Sequence, residues 1–253
     1  MITAIINQKG GVAKTTTCIN LAACLSLYYH KKIMVIDLDP QANATMGSGV
    51  NKNTLDMSAY DLLCQQADIT QLIMKDTQAG YDLIPGHHDL TAAMVELTQT
   101  VQSRQILKQS LMQVVDTYDA IFIDCPPALN MLTINALTAA DNLIIPMQCE
   151  YFALEGLTDL LNTIEHVKAS INPTLYIDGL LRAMCDMRHS LSRQVSEQLI
   201  TYFGAQVYQT IIPRNVRVAE APSYGLPVIK YDQKSLGSKA YVSLAGEYQK
   251  RHL

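Results

Sequence analysis

The sequence predicts a doubly wound α/β fold, a mainly parallel sheet with helices on both faces, and three observations carry that expectation. Short, β-branched apolar runs recur along the chain. Several are hydrophobic almost without interruption, as in Ile33-Met-Val-Ile36 and Ala120-Ile-Phe-Ile123. Stretches with helical spacing separate them. Unbroken apolar runs suit strands covered on both faces, and their alternation with helices suits right-handed crossovers in a parallel sheet.

In chain order, the first strand is predicted over Thr3–Asn7 and leads through glycines into a helix over 14–30. The second, Ile33–Asp37, ends on a carboxylate. The third, Tyr81–Ile84, runs into Pro85-Gly86. A helix over 104–117 precedes the strand Ala120–Asp124, and a helix over 130–140 precedes Asn142–Pro146. Helices over 153–171 and 191–203 alternate with strands Tyr176–Arg182 and Val207–Ile212, and a last helix covers 237–250. No Pro/Gly/Ser-rich linker, repeat or low-complexity tract interrupts the 253 residues, so one domain over 1–253 is expected.

Composition narrows the class. The six cysteines are scattered without a Cys-x-x-Cys pair, the usage of small core residues in a reducing compartment, and not of a disulfide framework or zinc site. No run reaches the ~18 apolar residues of a membrane span, and Met1 to Asn7 has no signal-peptide zones. The expectation is a cytoplasmic protein. The net charge of −4 conceals an asymmetry: residues 1–181 hold 9 Lys and Arg against 18 Asp and Glu, whereas residues 182–253 hold 10 against 5. A basic C-terminal quarter can meet phosphates despite an acidic whole.

In sheets of this kind ligands bind beyond the carboxyl ends of the strands. Three polar segments fall there: Lys9-Gly-Gly-Val-Ala-Lys-Thr-Thr16, Asp37-Leu-Asp-Pro-Gln41 and Asp124-Cys-Pro-Pro127. The first joins a strand to a helix through Gly10, Gly11, Val12 and Ala13. Backbone N–H groups of such a turn converge on phosphate oxygens, and the helix N-terminus adds a favourable dipole. Lys14 would place a compact cation on β- and γ-phosphates, and the Thr15 hydroxyl would ligate Mg²⁺, with Thr16 beside it. The common spacing Gly-x4-Gly-Lys-[Ser/Thr] is not met, because Gln8 and Ala13 replace its glycines. Asp124, ending a very apolar strand, suits the carboxylate that organises a Mg²⁺ shell.

What is met is Lys-Gly-Gly-x-x-Lys-Thr-Thr, and here the chain resembles the deviant P-loop NTPases that include ParA and MinD. The resemblance to ParA/Soj extends through Asp37 to Thr45, Leu132 to Leu137, Gln148 to Leu157 and Ile212 to Pro227. It implies an ATPase using ATP and Mg²⁺ that forms a homodimer on ATP. In that dimer Lys9, the signature lysine, reaches the partner's phosphates. It further implies that Asp39 orients the attacking water, that Asp124 serves magnesium, directly or through water, and that Pro213 and Asn215 lie against the base. Asp37 would be a supporting ligand or a partner of the P-loop.

The same resemblance implies nonspecific contacts to double-stranded DNA through Arg188 and Arg217. Lys230 and Lys234 follow closely, and Leu236 stands where many relatives carry arginine. No base-reading motif accompanies them, so phosphate contact with steep salt dependence is expected, with release stimulated by a ParB-type partner. By that resemblance alone, the lack of a helix-turn-helix before the first strand favours the chromosomal type over the plasmid type, with the cargo left open. A membrane-associated, MinD-like ATPase is the alternative; the segment after Tyr241 is too short and interrupted for a lipid-facing helix. His87-His88-Asp89 resembles a fragment of a metal site without a second cluster to complete it, and reads as a loop.

Overall fold

The computed structural model describes residues 1–99, 102–150 and 153–253. Seven strands form one sheet: β1 (Ile2–Ile5), β2 (Ile33–Asp37), β3 (Asp82–Ile84), β4 (Ala120–Asp124), β5 (Asn142–Met147), β6 (Tyr176–Cys185) and β7 (Val207–Pro213). Their order is β3-β2-β4-β1-β5-β6-β7, and every neighbouring pair is parallel. The helices are α1 (Lys14–Tyr29), α2 (Asn43–Gly47), α3 (Ala59–Leu63), α4 (Ile69–Leu72), α5 (Leu90–Glu96) and α6 (Ile106–Leu111). They continue with α7 (Met131–Ala139), α8 (Ala153–Ser170), α9 (Ser190–Phe203), α10 (Val216–Glu220), α11 (Val228–Tyr231) and α12 (Leu236–His252).

The strands alternate between two cores, as a period of two requires. Met34 and Ile36 of β2, with Ile121 and Ile123 of β4, enter one core. Ile33, Val35, Ala120 and Phe122 enter the other. Leu107, Leu137, Leu160 and Leu199, from α6 to α9, close the first. Leu21 and Leu25 of α1, with Tyr241, Leu244 and Tyr248 of α12, close the second. The doubly wound expectation is thereby met, with a sheet parallel throughout. At its far edge Glu247 of α12 accepts the backbone N–H groups of Gln209 (2.8 Å) and Thr210 (3.0 Å) of β7.

This topology fixes where ligands can sit. The chain leaves β1 for β2 on one side and leaves β4 for β5 on the other, so the adjacent pair β1–β4 is a switch point with a crevice at its carboxyl end. In register, Asp124 is paired with both Ile5 of β1 and Asp37 of β2. The glycine turn and two carboxylates therefore meet at one edge of the sheet.

Two expectations need correction. The helix expected over 104–117 is broken into α6 flanked by 3₁₀ turns at Gln102–Gln105 and Val115–Thr117. Asn135 of α7 causes the first break: its Oδ1 accepts Leu107 N–H (3.2 Å), and its Nδ2 donates to Ser103 O (2.8 Å). Strand β6 continues past Arg182 to Cys185, where it pairs with Pro213 after two register shifts. Arg182 is buried, donating to Ser196 Oγ (2.8 Å) and to the carbonyls of Tyr208 (2.7 Å) and Gln209 (3.1 Å), which a polar strand end in solvent would not do.

Candidate functional site

The turn after β1 is shaped for an anion. Gly11 has φ +70°, a conformation natural to glycine, and Ala13 has φ +70° as well, where an L residue is strained. Ala13 is the residue preceding α1, and no side chain caps that helix; its first turn carries no acidic residue. The N–H groups opening a long helix are thus left to a ligand, with the dipole favouring negative charge. Gly10, Gly11, Ala13, Lys14, Thr15 and Thr16 line a cleft of about 480 Å³ that also takes in Asp39, Asn43, Met46, Pro127, Pro222 and Ser223.

Lys14 is buried, and its Nζ donates to the carbonyl of Lys9 (3.0 Å). Burial lowers its pKa, while Asp124, Cys125 and Asp39 nearby favour the charged form. Lys9 behaves otherwise. It stands half exposed on the rim, its Nζ paired at 2.8 Å with Glu150 Oε2. The loop after β5 grips the turn a second time, through Gln148 Nε2 donating to Gly11 O (2.9 Å). Tyr151 and Phe152, further along that loop, lie outside the described residues.

The carboxylates divide the work. Asp37 is fully buried and accepts from Asp39 N–H (3.1 Å), Thr45 N–H (2.8 Å) and Thr45 Oγ1 (2.7 Å). Its oxygens are therefore committed to holding the 39–45 segment. Burial raises its pKa to about 6 against those hydrogen bonds. Gly86 completes the knot: its N–H donates to Thr45 Oγ1 (2.8 Å), and a Cβ there would come within 2.8 Å of Asp37 Cγ. Asp39, positioned by this hub, accepts from Gln41 N–H (2.9 Å) and borders the cleft.

Asp124 is the chemically exposed member, although no water reaches it. Both carboxylate oxygens are buried without a hydrogen-bond partner. Burial pushes its pKa well above the carboxylate range, Asp37 pushes it further, and the Thr15 hydroxyl beside it only partly compensates. A buried carboxylate compensated only in part is costly. A hard, oxygen-seeking cation between Asp124 and Thr15 answers that need, so these residues fit Mg²⁺.

The remaining expected residues lie elsewhere. Pro213 ends β7 and lines a second cavity of about 570 Å³ with Met187, Arg188, Arg214 and Leu236; none of its lining residues lines the first cleft. Asn215 caps α10, its Oδ1 accepting from Arg217 N–H (3.0 Å) and Val218 N–H (3.3 Å). Arg188 is 89% exposed and holds Asp186 through Nη2 (2.6 Å) and Nε (2.9 Å). Arg217 pairs with Glu220 (2.9 Å) and Asp232 (3.5 Å). Lys230 donates to Gln78 O (2.8 Å), and Lys234 is exposed. Gln148, Glu150, Thr45 and Ser223 were not expected at the site. Glu150 lies 141 residues from Lys9, beyond the reach of any local pattern.

Comparison with known proteins agrees with this arrangement. An AAA domain family profile matches residues 1–177. The sporulation initiation inhibitor protein Soj of Bacillus subtilis is 49% identical over 246 residues, covering 97% of either chain. The chromosome partitioning protein ParA of Caulobacter vibrioides is 46% identical over 248 residues, covering 97% of this chain and 92% of that one. Among solved structures, cobyrinic acid a,c-diamide synthase from Mycobacterium smegmatis with bound ADP and magnesium has a TM-score of 0.86 at 32% identity, covering 99% of this chain and 94% of that one. In sequence and in fold the chain belongs to the ParA/Soj family of chromosome-partitioning ATPases.

Proposed function

We propose that this chain, as one domain, hydrolyses ATP with Mg²⁺, dimerises on ATP and in that state holds double-stranded DNA without regard to sequence, until a ParB-type partner stimulates hydrolysis. The observation that carries the reading is the edge at β1 and β4, where an uncapped helix N-terminus and buried Lys14 line one cleft and buried Asp124 lies behind its wall, beside Thr15. The turn's N–H groups and Lys14 bind the phosphates. Asp124 and Thr15 would hold Mg²⁺, which would supply charge neutralisation to the bound phosphates. Asp39, fixed through Gln41 and the Asp37–Thr45 hub, orients water towards the γ-phosphate. Lys9, on the rim and held only by an exposed ion pair, is free to swing to a second copy's phosphates, which ties hydrolysis to dimerisation.

Dimerisation also places two basic faces on one duplex. Linking them raises the effective concentration of the second, so the dimer binds far more tightly than one chain. For the membrane-associated alternative, α12 would have to withdraw Tyr241, Leu244 and Tyr248 from the second core. No described helix is long and apolar enough to cross a membrane.

Fluorescence anisotropy on two unrelated duplexes tests the reading. With Asp39→Ala, which is expected to bind ATP but turn over slowly, both duplexes should bind alike with ATP and Mg²⁺ and weakly with ADP. Lys9→Ala should keep nucleotide and lose the dimer in analytical ultracentrifugation. Equal DNA affinity with ADP and ATP would overturn the nucleotide-gated clamp.

A further inference from the structure

The turn between β3 and α5 brings three metal-binding side chains together. His87 Nδ1 lies 2.9 Å from Asp89 Oδ2, and His88 Nε2 lies 3.2 Å from Asp89 Oδ1. The two imidazole rings are 3.9 Å apart between centroids. One donor atom from each residue falls within 4.8 Å of the others. We propose that His87, His88 and Asp89 form a binding site for a borderline transition-metal cation of the Zn²⁺ class, separate from the Mg²⁺ position at Asp124.

The backbone fixes the turn at both ends. Before it, Gly86 N–H is held by Thr45 Oγ1 (2.8 Å), and Pro85 O accepts Ala59 N–H (2.8 Å). After it, the carbonyls of His87, His88 and Asp89 accept from Leu90, Thr91 and Ala92 (3.1, 3.0 and 2.8 Å). Asp89 precedes α5, where an aspartate ordinarily caps the helix. Its carboxylate makes no such bond and turns to the two imidazoles instead. Two imidazole nitrogens and one carboxylate are the donor set of three-ligand zinc sites, in which water takes the fourth position. Bonds of about 2.0–2.1 Å set tetrahedral donors roughly 3.3 Å apart, so donors spread over as much as 4.8 Å must close in by more than an ångström. His88 can make that movement, being 79% exposed, while His87, at 19%, serves as the fixed side. Imidazole donors also select against Mg²⁺, which prefers oxygen and resists dehydration.

The full chain, freed of metal by a chelator, is titrated with ZnCl₂ by calorimetry in the absence of nucleotide. One Zn²⁺ per chain is expected, undisplaced by excess Mg²⁺. His88→Ala and Asp89→Asn should each weaken it at least about tenfold, the loss typical of disturbing a metal's ligand shell. His189→Ala, removing an exposed histidine beside a carboxylate elsewhere on the chain (3.5 Å from Asp186), should leave it unchanged. Co²⁺ in place of Zn²⁺ should give a spectrum without a thiolate charge-transfer band. His88 is exposed, so its replacement leaves the fold intact by circular dichroism. No saturable binding, unchanged affinity in both variants, displacement by Mg²⁺ or a thiolate band would each overturn the proposal.

Discussion

The cations of the cleft and those of the basic C-terminal quarter occupy opposite physical regimes. Lys14 is buried, held by a backbone carbonyl and close to Asp124, whose buried oxygens have no hydrogen-bond partner among the described residues. Arg188 and Arg217 stand in solvent, each already paired with carboxylates of its own chain. The first arrangement is unfinished without a ligand; the second is satisfied without one. A single chain is thus built to take nucleotide, whereas on the proposed reading DNA would have to displace Asp186, Glu220 and Asp232 to gain the arginines. Such displacement would be favourable only when many phosphates act together, which is what the proposed dimer would supply.

The comparison is tested first at Lys14. Lys14→Ala should weaken nucleotide binding by about a hundredfold, the scale of a charge-assisted hydrogen bond lost in a dry site. Near-normal affinity by calorimetry would remove the cleft from its role. Next, Arg188→Glu or Arg217→Glu should abolish most DNA binding while leaving the ATP dimer intact. Each lost contact occurs twice per dimer, so the log–log salt slope should become shallower by about 2. An unchanged slope would show that these arginines do not touch phosphate.

Smaller effects probe the self-pairing. Asp186→Asn frees Arg188, and Glu150→Gln frees Lys9; exposed ion pairs are weak, so each should help only a few-fold. The first should tighten DNA binding in anisotropy, the second ATP-driven dimerisation in ultracentrifugation. Weaker binding in either case would make that carboxylate a partner in the contact and not a competitor. Smallest of all is Ala13→Gly. Relief of the left-handed backbone, less glycine's added entropy, should stabilise the fold by at most about 1 kcal/mol in urea titration, with nucleotide affinity nearly unchanged.

How much of this was legible in the sequence follows the range of the interactions. The strands were plain because burial on both faces leaves continuous apolar runs, and the cleft was plain because its glycines and lysines form one contiguous segment and its aspartates close conspicuous apolar strands. The short helices were not. Helices α3 and α4 have five and four residues, too few to show a period, and are held by the reciprocal caps Ser58–Asp61 and Asp68–Gln71. Those capping pairs were the available signal. The role of Asp37 was equally hidden, since its partner Thr45 comes from α2, and Gly86, which donates to Thr45, follows β3. Glu150 on Lys9 and Asp186 on Arg188 could not be read, because nothing in a sequence says which carboxylate an exposed cation chooses.

Glu247 has a consequence for how this protein keeps its own copies apart. An edge strand offers free amides to any passing strand, and open parallel sheets are prone to join edge to edge. Here one carboxylate occupies two consecutive amides of β7, and Arg251 holds it in place at 3.0 Å. If two copies meet face to face across nucleotide, as proposed, the side of the sheet is closed to the wrong encounter. Loss of that single anion would open a second, ungated route to self-association, one that grows with concentration and answers to no nucleotide.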